Sequence, residues 1–107
     1  MELKELKKFI KKESKRLKNK FSLEDKGKRI LAKMVKLTEE VGELADEVLG
    51  CCSMQRKEKL DKHSKEELLD EFADVIVCTF LLAESMGIDI EEGLKIKMKK
   101  INNRYKK

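Results

Sequence analysis

A chain of 107 residues with no proline, five glycines and 44% charged residues has room for one domain but lacks the turn chemistry of a many-stranded sheet. Lys and Glu dominate the charge, and both favour helix, so an all-α fold is predicted. The net charge of +5 is unevenly spread: +6 over residues 1–20, −8 over 21–93 and +7 over 94–107. An acidic centre between basic ends suits a cation site surrounded by groups that attract a polyanion.

Several chemistries are excluded early. Cys51 and Cys52 are adjacent and Cys78 lies in an apolar run, an odd count without metal-ligand spacing. Free thiols in a reducing cytoplasm are expected. His63 is the only histidine, which argues against a zinc site or a histidine triad. The longest apolar run, Val75 to Ala83, is too short to span a bilayer. No signal peptide is visible, and a cytoplasmic location is expected.

The elements follow in chain order. A first helix spans about Glu2 to Lys20, with Leu3, Leu6, Phe9, Ile10 and Leu17 as its apolar stripe. Ser22 to Asp25 resembles a capping box opening the second helix. There Ile30, Met34, Leu37, Val41, Leu44 and Val48 step by alternating fours and threes, as a packed face requires. Gly50 is the expected stop, and residues 51–63 read as a polar linker. Ser64 with Glu67 forms a capping box for the third helix, ending near Gly87. Asp89 with Glu92 opens the fourth, which carries Leu94, Ile96, Met98 and Ile101. Val75 to Ala83 is apolar around its whole circumference, more than one stripe can bury. A homodimer or a dimer of dimers is therefore expected.

Chemistry concentrates in two acidic clusters, Glu39-Glu40-Val41-Gly42-Glu43 and Glu71-Phe72-Ala73-Asp74, separated by 27 residues. Glu40 and Glu43 share a helix face, as do Glu71 and Asp74. Glu-rich helices are usually solvated faces, and Lys36 or Lys33 could pair with Glu40. Three features favour a site. The acids alternate with core-type residues. Gly42 costs about 1 kcal/mol relative to Ala inside a helix, which close approach of a helix or ligand would explain. The spacer also allows an antiparallel return that brings both pairs to one level. Converging carboxylates make a hard-oxygen site suited to Mg2+.

These two motifs together resemble the EExxE…ExxD signature of the MazG-like, all-α nucleoside triphosphate pyrophosphohydrolases. The C-terminal Lys97-Met98-Lys99-Lys100-Ile101-Asn102-Asn103-Arg104-Tyr105 is similar to the final helix of that family. The resemblance covers about residues 26–105 of a single domain, 1–107, with residues 1–20 as a basic addition. It implies the four-helix-bundle-type fold of those enzymes, for which the apolar third helix predicts a dimer or dimer of dimers. It also implies cleavage of a nucleoside triphosphate between the α and β phosphates, giving the monophosphate and pyrophosphate. By that resemblance Glu40, Glu43, Glu71 and Asp74 would hold Mg2+, with Mn2+ as a substitute. Glu39 would orient the attacking water or accept its proton. Lys97, Asn102 and Arg104 would face phosphate or sugar, with Tyr105 beside them. Phe21 and Tyr105 are the aromatic candidates for base stacking, and no Trp or His precedes the first acidic cluster.

Two other readings stand beside this one. A phosphoribosyl-ATP pyrophosphatase shares the fold and a related carboxylate pattern. A dimeric helical binding protein could instead use its basic ends on nucleic acid or a partner. Sparse aromatics and the acidic middle argue against nucleic acid as the main partner.

Overall fold

The computed structural model describes residues 1–20, 25–52 and 62–106, with side chains from residue 65 onward in the last stretch. Four helices, α1 (Leu3–Lys20), α2 (Lys26–Cys52), α3 (Lys62–Ser85) and α4 (Ile90–Asn103), account for the secondary structure of the described residues. The all-α reading holds.

Helix boundaries follow local chemistry with three departures. Asp25 caps α2, its Oδ1 accepting from the Lys28 backbone N–H at 3.2 Å. In the expected capping box Asp25 was instead the third helical position; Ser22 lies outside the described residues. Gly50 does not stop α2, which continues to Cys52. One glycine weakens a helix by only about 1 kcal/mol, too little to end a long one. The third helix starts at Lys62, so Ser64 lies within its first turn rather than at its cap. The expected linker shortens accordingly, and residues 53–61 lie outside the description.

The other two boundaries are as read. α3 closes in a Schellman turn: Ile88 N–H reaches Ala83 C=O at 2.9 Å and Gly87 N–H reaches Glu84 C=O at 3.2 Å. Gly87 supplies the required left-handed backbone, with φ +68°. Asp89 then caps α4 by accepting from Glu92 N–H at 3.3 Å.

α2 and α3 form the central pair, and α1 lies across α3. α4 is held at its start, where Glu91 Oε1 accepts from Lys7 Nζ of α1 at 3.0 Å. From Glu92 to Lys106 every residue is exposed. The core is correspondingly thin: Ile10 and Leu81 are the buried apolar residues among those described. The radius of gyration is 17.1 Å, against about 13 Å for a compact chain of this length.

The α2 stripe divides in a way the sequence did not separate. Ile30, Leu37 and Leu44 are half-buried, whereas Met34, Val41 and Val48 face outward. Each set repeats every seven residues, so the two are adjacent seams on one helix. Leu69, Phe72 and Ile76 make a similar exposed seam on α3. Gly42 shares this openness: a methyl group there would meet no atom within 4 Å. The close helix approach expected at Gly42 is therefore not present among the described residues.

Candidate metal centre between α2 and α3

The first acidic cluster occupies the middle of α2 and the second the first half of α3. Glu43 lies near Glu71, and Lys36, two turns earlier on α2, lies near Cys78 further along α3. This register makes the helices antiparallel, as the spacer allowed. It brings one carboxylate oxygen each from Glu40, Glu43 and Glu71 within 4.8 Å of one another. Asp70, Glu71 and Asp74 form a second group on the same criterion. Glu71 belongs to both.

The environment of these acids is graded. Glu40 is 5% exposed, Glu71 and Asp74 are half-buried, and Glu39, Glu43 and Asp70 are exposed. Lys36 Nζ lies 2.9 Å from Glu40 Oε1, and this hydrogen bond holds the Glu40 carboxyl below its ordinary pKa. The neighbours shift the other way. The charge on Glu40 raises Glu43, and burial raises Glu71 and Asp74, with further carboxylates adding to the effect. One cation thus partly offsets a group that needs more positive charge.

Two oxygens of this group have no partner to offset their burial. Glu40 Oε2 and Glu71 Oε2 are buried and have no hydrogen-bond partner among the described residues. Burying a carboxylate oxygen without a partner is costly. The converging donors are all carboxylate oxygens, which match a hard divalent cation and not a soft metal. The residues therefore fit a metal that Glu40, Glu43 and Glu71 would hold, whereas Asp74 is grouped with Asp70 and Glu71.

Asp70 is a further candidate beside the ligands expected from sequence. Its signal was available, since Asp70 precedes Asp74 by four residues and shares its helix face. Lys36 takes the pairing role that the solvated-face reading allowed it, and Lys33 forms no ion pair with Glu40. The α4 residues stand apart. Lys97, Asn102, Arg104 and Tyr105 are all exposed, and no hydrogen bond or ion pair joins them to the acidic groups among the described residues. Tyr105 is 82% exposed; Phe21 lies outside the described residues. No helix among those described is long and apolar enough to cross a membrane.

Comparison with known proteins gives the same centre of gravity. The profile of the MazG-like family matches residues 32–107, a span containing both acidic clusters and α4. Among curated proteins of Bacillus subtilis (strain 168), the uncharacterized protein YvdC is 34% identical over 73 residues, covering 64% of this chain and 69% of its own. The uncharacterized protein YpjD is 42% identical over 77 residues, covering 71% of this chain and 67% of its own. No solved structure gives a significant match.

Proposed function

Because the chain belongs to the MazG-like family, we propose that it is a Mg2+-dependent pyrophosphohydrolase that cuts nucleoside triphosphates between the α and β phosphates. The observation that carries this reading is the carboxylate group of Glu40, Glu43 and Glu71, whose oxygens converge within 4.8 Å while two buried oxygens go unpartnered. Mg2+ binds few carboxylates, keeps waters and shares substrate phosphates, so it suits such a site. When bound, it supplies positive charge for the phosphates and acidifies a bound water.

The protein's own residues have separate tasks. Glu40, Glu43, Glu71 and Asp74 hold the cation, and Asp70 joins Asp74 and Glu71 on the α3 side. Glu39 is exposed beside Glu40, a position open to a water arriving at the phosphate. It orients that water and accepts its proton as the new oxygen–phosphorus bond forms and the α–β bridging bond breaks. Lys97, Asn102 and Arg104 contact the phosphates or sugar, with the Arg guanidinium able to bind two oxygens at once.

A homodimer or homotetramer is the proposed working form. Support comes from the exposed seams Met34–Val41–Val48 and Leu69–Phe72–Ile76 and from the extended shape. A seam of that length normally finds a partner.

The test is a Mg2+-dependent pyrophosphate-release screen across canonical and damaged NTPs and dNTPs. Glu40→Gln and Asp74→Asn are expected to abolish release while helical content persists. Full activity in both variants would remove these carboxylates from the reaction.

A further inference from the structure

α1 lies outside residues 32–107, the span that the family profile matches, and none of its residues belongs to the acidic groups. At about 100° per residue, Lys4, Lys8, Lys11, Lys12, Lys15 and Lys18 fill one arc of about 120° on this helix. Asn19 is the one other residue in the arc. The six lysines are exposed, and no hydrogen bond or ion pair engages them among the described residues. The two acids of the helix, Glu5 and Glu13, fall outside the arc, and Glu13 accepts from Arg16 Nε at 2.8 Å. Lys7, at the edge of the arc, is instead tied to Glu91 at 3.0 Å and fixes α1 against the start of α4. Beside that pair, Lys4, Lys8 and Lys11 line a concavity of about 420 Å³.

We propose that the lysine face of α1 binds double-stranded DNA, lying in the major groove and contacting phosphates on both sides. The inference uses no residue assigned to nucleotide hydrolysis and stands apart from that reading.

The first argument is electrostatic. Lysines three or four positions apart repel one another, and Lys4, Lys8, Lys11, Lys15 and Lys18 form an unbroken chain of such steps. Among the described residues no acid pairs with them to offset that repulsion. A continuous polyanion would. The row from Lys4 to Lys18 is about 21 Å long, a length over which duplex DNA carries about twelve phosphates.

Shape and composition select among polyanions. A helix about 10–12 Å across fits the DNA major groove, about 12 Å wide, whereas the A-form groove of duplex RNA is too deep and narrow. Lys12 and Lys18, at the two margins of the arc, then face opposite strands. Single strands are held largely by aromatic stacking, and the arc contains no aromatic residue. A helix on a membrane surface inserts apolar side chains. Those of α1 lie outside the arc, with Ile10 buried, Leu3, Leu6 and Leu17 half-buried, and Phe9 under the Arg16 guanidinium. The acidic groups of α2 and α3 oppose nucleic acid at their own face, and none pairs with these lysines.

Fluorescence anisotropy of a labelled mixed-sequence DNA duplex, titrated with the full chain at several KCl concentrations, tests the proposal. Wild type should bind with a log–log salt slope of about −5, the value for six phosphate contacts. The triple variant Lys8→Gln, Lys11→Gln, Lys15→Gln should reduce that slope by about 3 and weaken binding about tenfold to hundredfold. Arginine at the same three positions should preserve both. A second triple variant, Lys99→Gln, Lys100→Gln, Lys106→Gln, removes equal charge from the C-terminal end and should bind as wild type does. Circular dichroism checks helicity in each variant. No binding, a slope unchanged by the α1 substitutions, or an equal loss in the C-terminal variant overturns the proposal. So does tighter binding of duplex RNA, of single-stranded DNA or of phosphatidylserine-containing vesicles.

Discussion

Lys36 Nζ holds Glu40 Oε1 at 2.9 Å, while the other oxygen of the same carboxylate is buried without a partner. Glu40 is thus satisfied at one oxygen by its own helix and left without a partner at the other. A cation bound there would complete Glu40 without displacing Lys36.

The first prediction concerns the metal. Millimolar Mg2+ should raise the melting temperature of the protein, because an ion that binds the folded state and not the unfolded one stabilises it by mass action. Glu40→Gln and Glu71→Gln should each remove most of that rise. A thermal melt with and without Mg2+ checks this, and an unchanged rise in both variants would place the ion elsewhere.

A second prediction follows from the shifted carboxyls. Glu43, Glu71 and Asp74 hold their protons more tightly in the fold than their ordinary values of 4.5, 4.5 and 3.8. Above those values the folded state carries more protons than the unfolded one, so metal-free stability falls as pH rises through the raised range. Glu40 has the opposite sign: its contribution is lost as pH falls through its lowered value. Metal binding needs the ionised set, so the gain in melting temperature from Mg2+ should grow with pH across the raised window. A gain of constant size from about pH 4.5 to about pH 7.5 would contradict this.

Lys36→Met should destabilise the metal-free protein by about 1 kcal/mol, since it leaves both oxygens of a buried carboxylate without a donor. Saturating Mg2+ should recover part of the loss. Urea titrations in the two conditions measure the difference.

Assembly supplies a fourth test. Sedimentation should show a species larger than the 12.5 kDa monomer at micromolar concentration. Phe72→Glu and Val41→Glu each place a charge on an exposed seam and should shift the population toward monomer. A wild-type monomer throughout would mean the seams serve another purpose.

The turn between α3 and α4 can be probed directly. Gly87→Ala forces a side chain into the left-handed region at φ +68° and should cost about 1–2 kcal/mol. Asp89→Ala removes the cap on Glu92 N–H and should cost about 1 kcal/mol. Denaturant midpoints test both.

Signals confined to a few neighbouring residues were legible. The Asp89 cap, the Gly87 terminus and the helical face shared by Glu40 and Glu43 each depend on contacts within four or five positions. The Gly50 stop failed because one unfavourable residue competes with the whole length of α2. The Ser64 start failed because a side chain able to cap does not oblige the helix to begin there. Asp70 lies outside the two acidic motifs, and only its four-residue spacing from Asp74 marks it in the sequence.

By itself the sequence determined four helices, their apolar stripes and the two pairs of carboxylates, because helix periodicity fixes which residues share a face. The tertiary structure decided the rest. The antiparallel register of α2 and α3 set which acids converge and left Glu40 Oε2 and Glu71 Oε2 without partners. Packing of α1 across α3 buried Ile10 and left the lysine face of α1 in solvent. The packing of α2 on α3 chose Ile30, Leu37 and Leu44 over Met34, Val41 and Val48 for burial. The two seams are equally apolar, so only the position of a neighbouring helix could separate them.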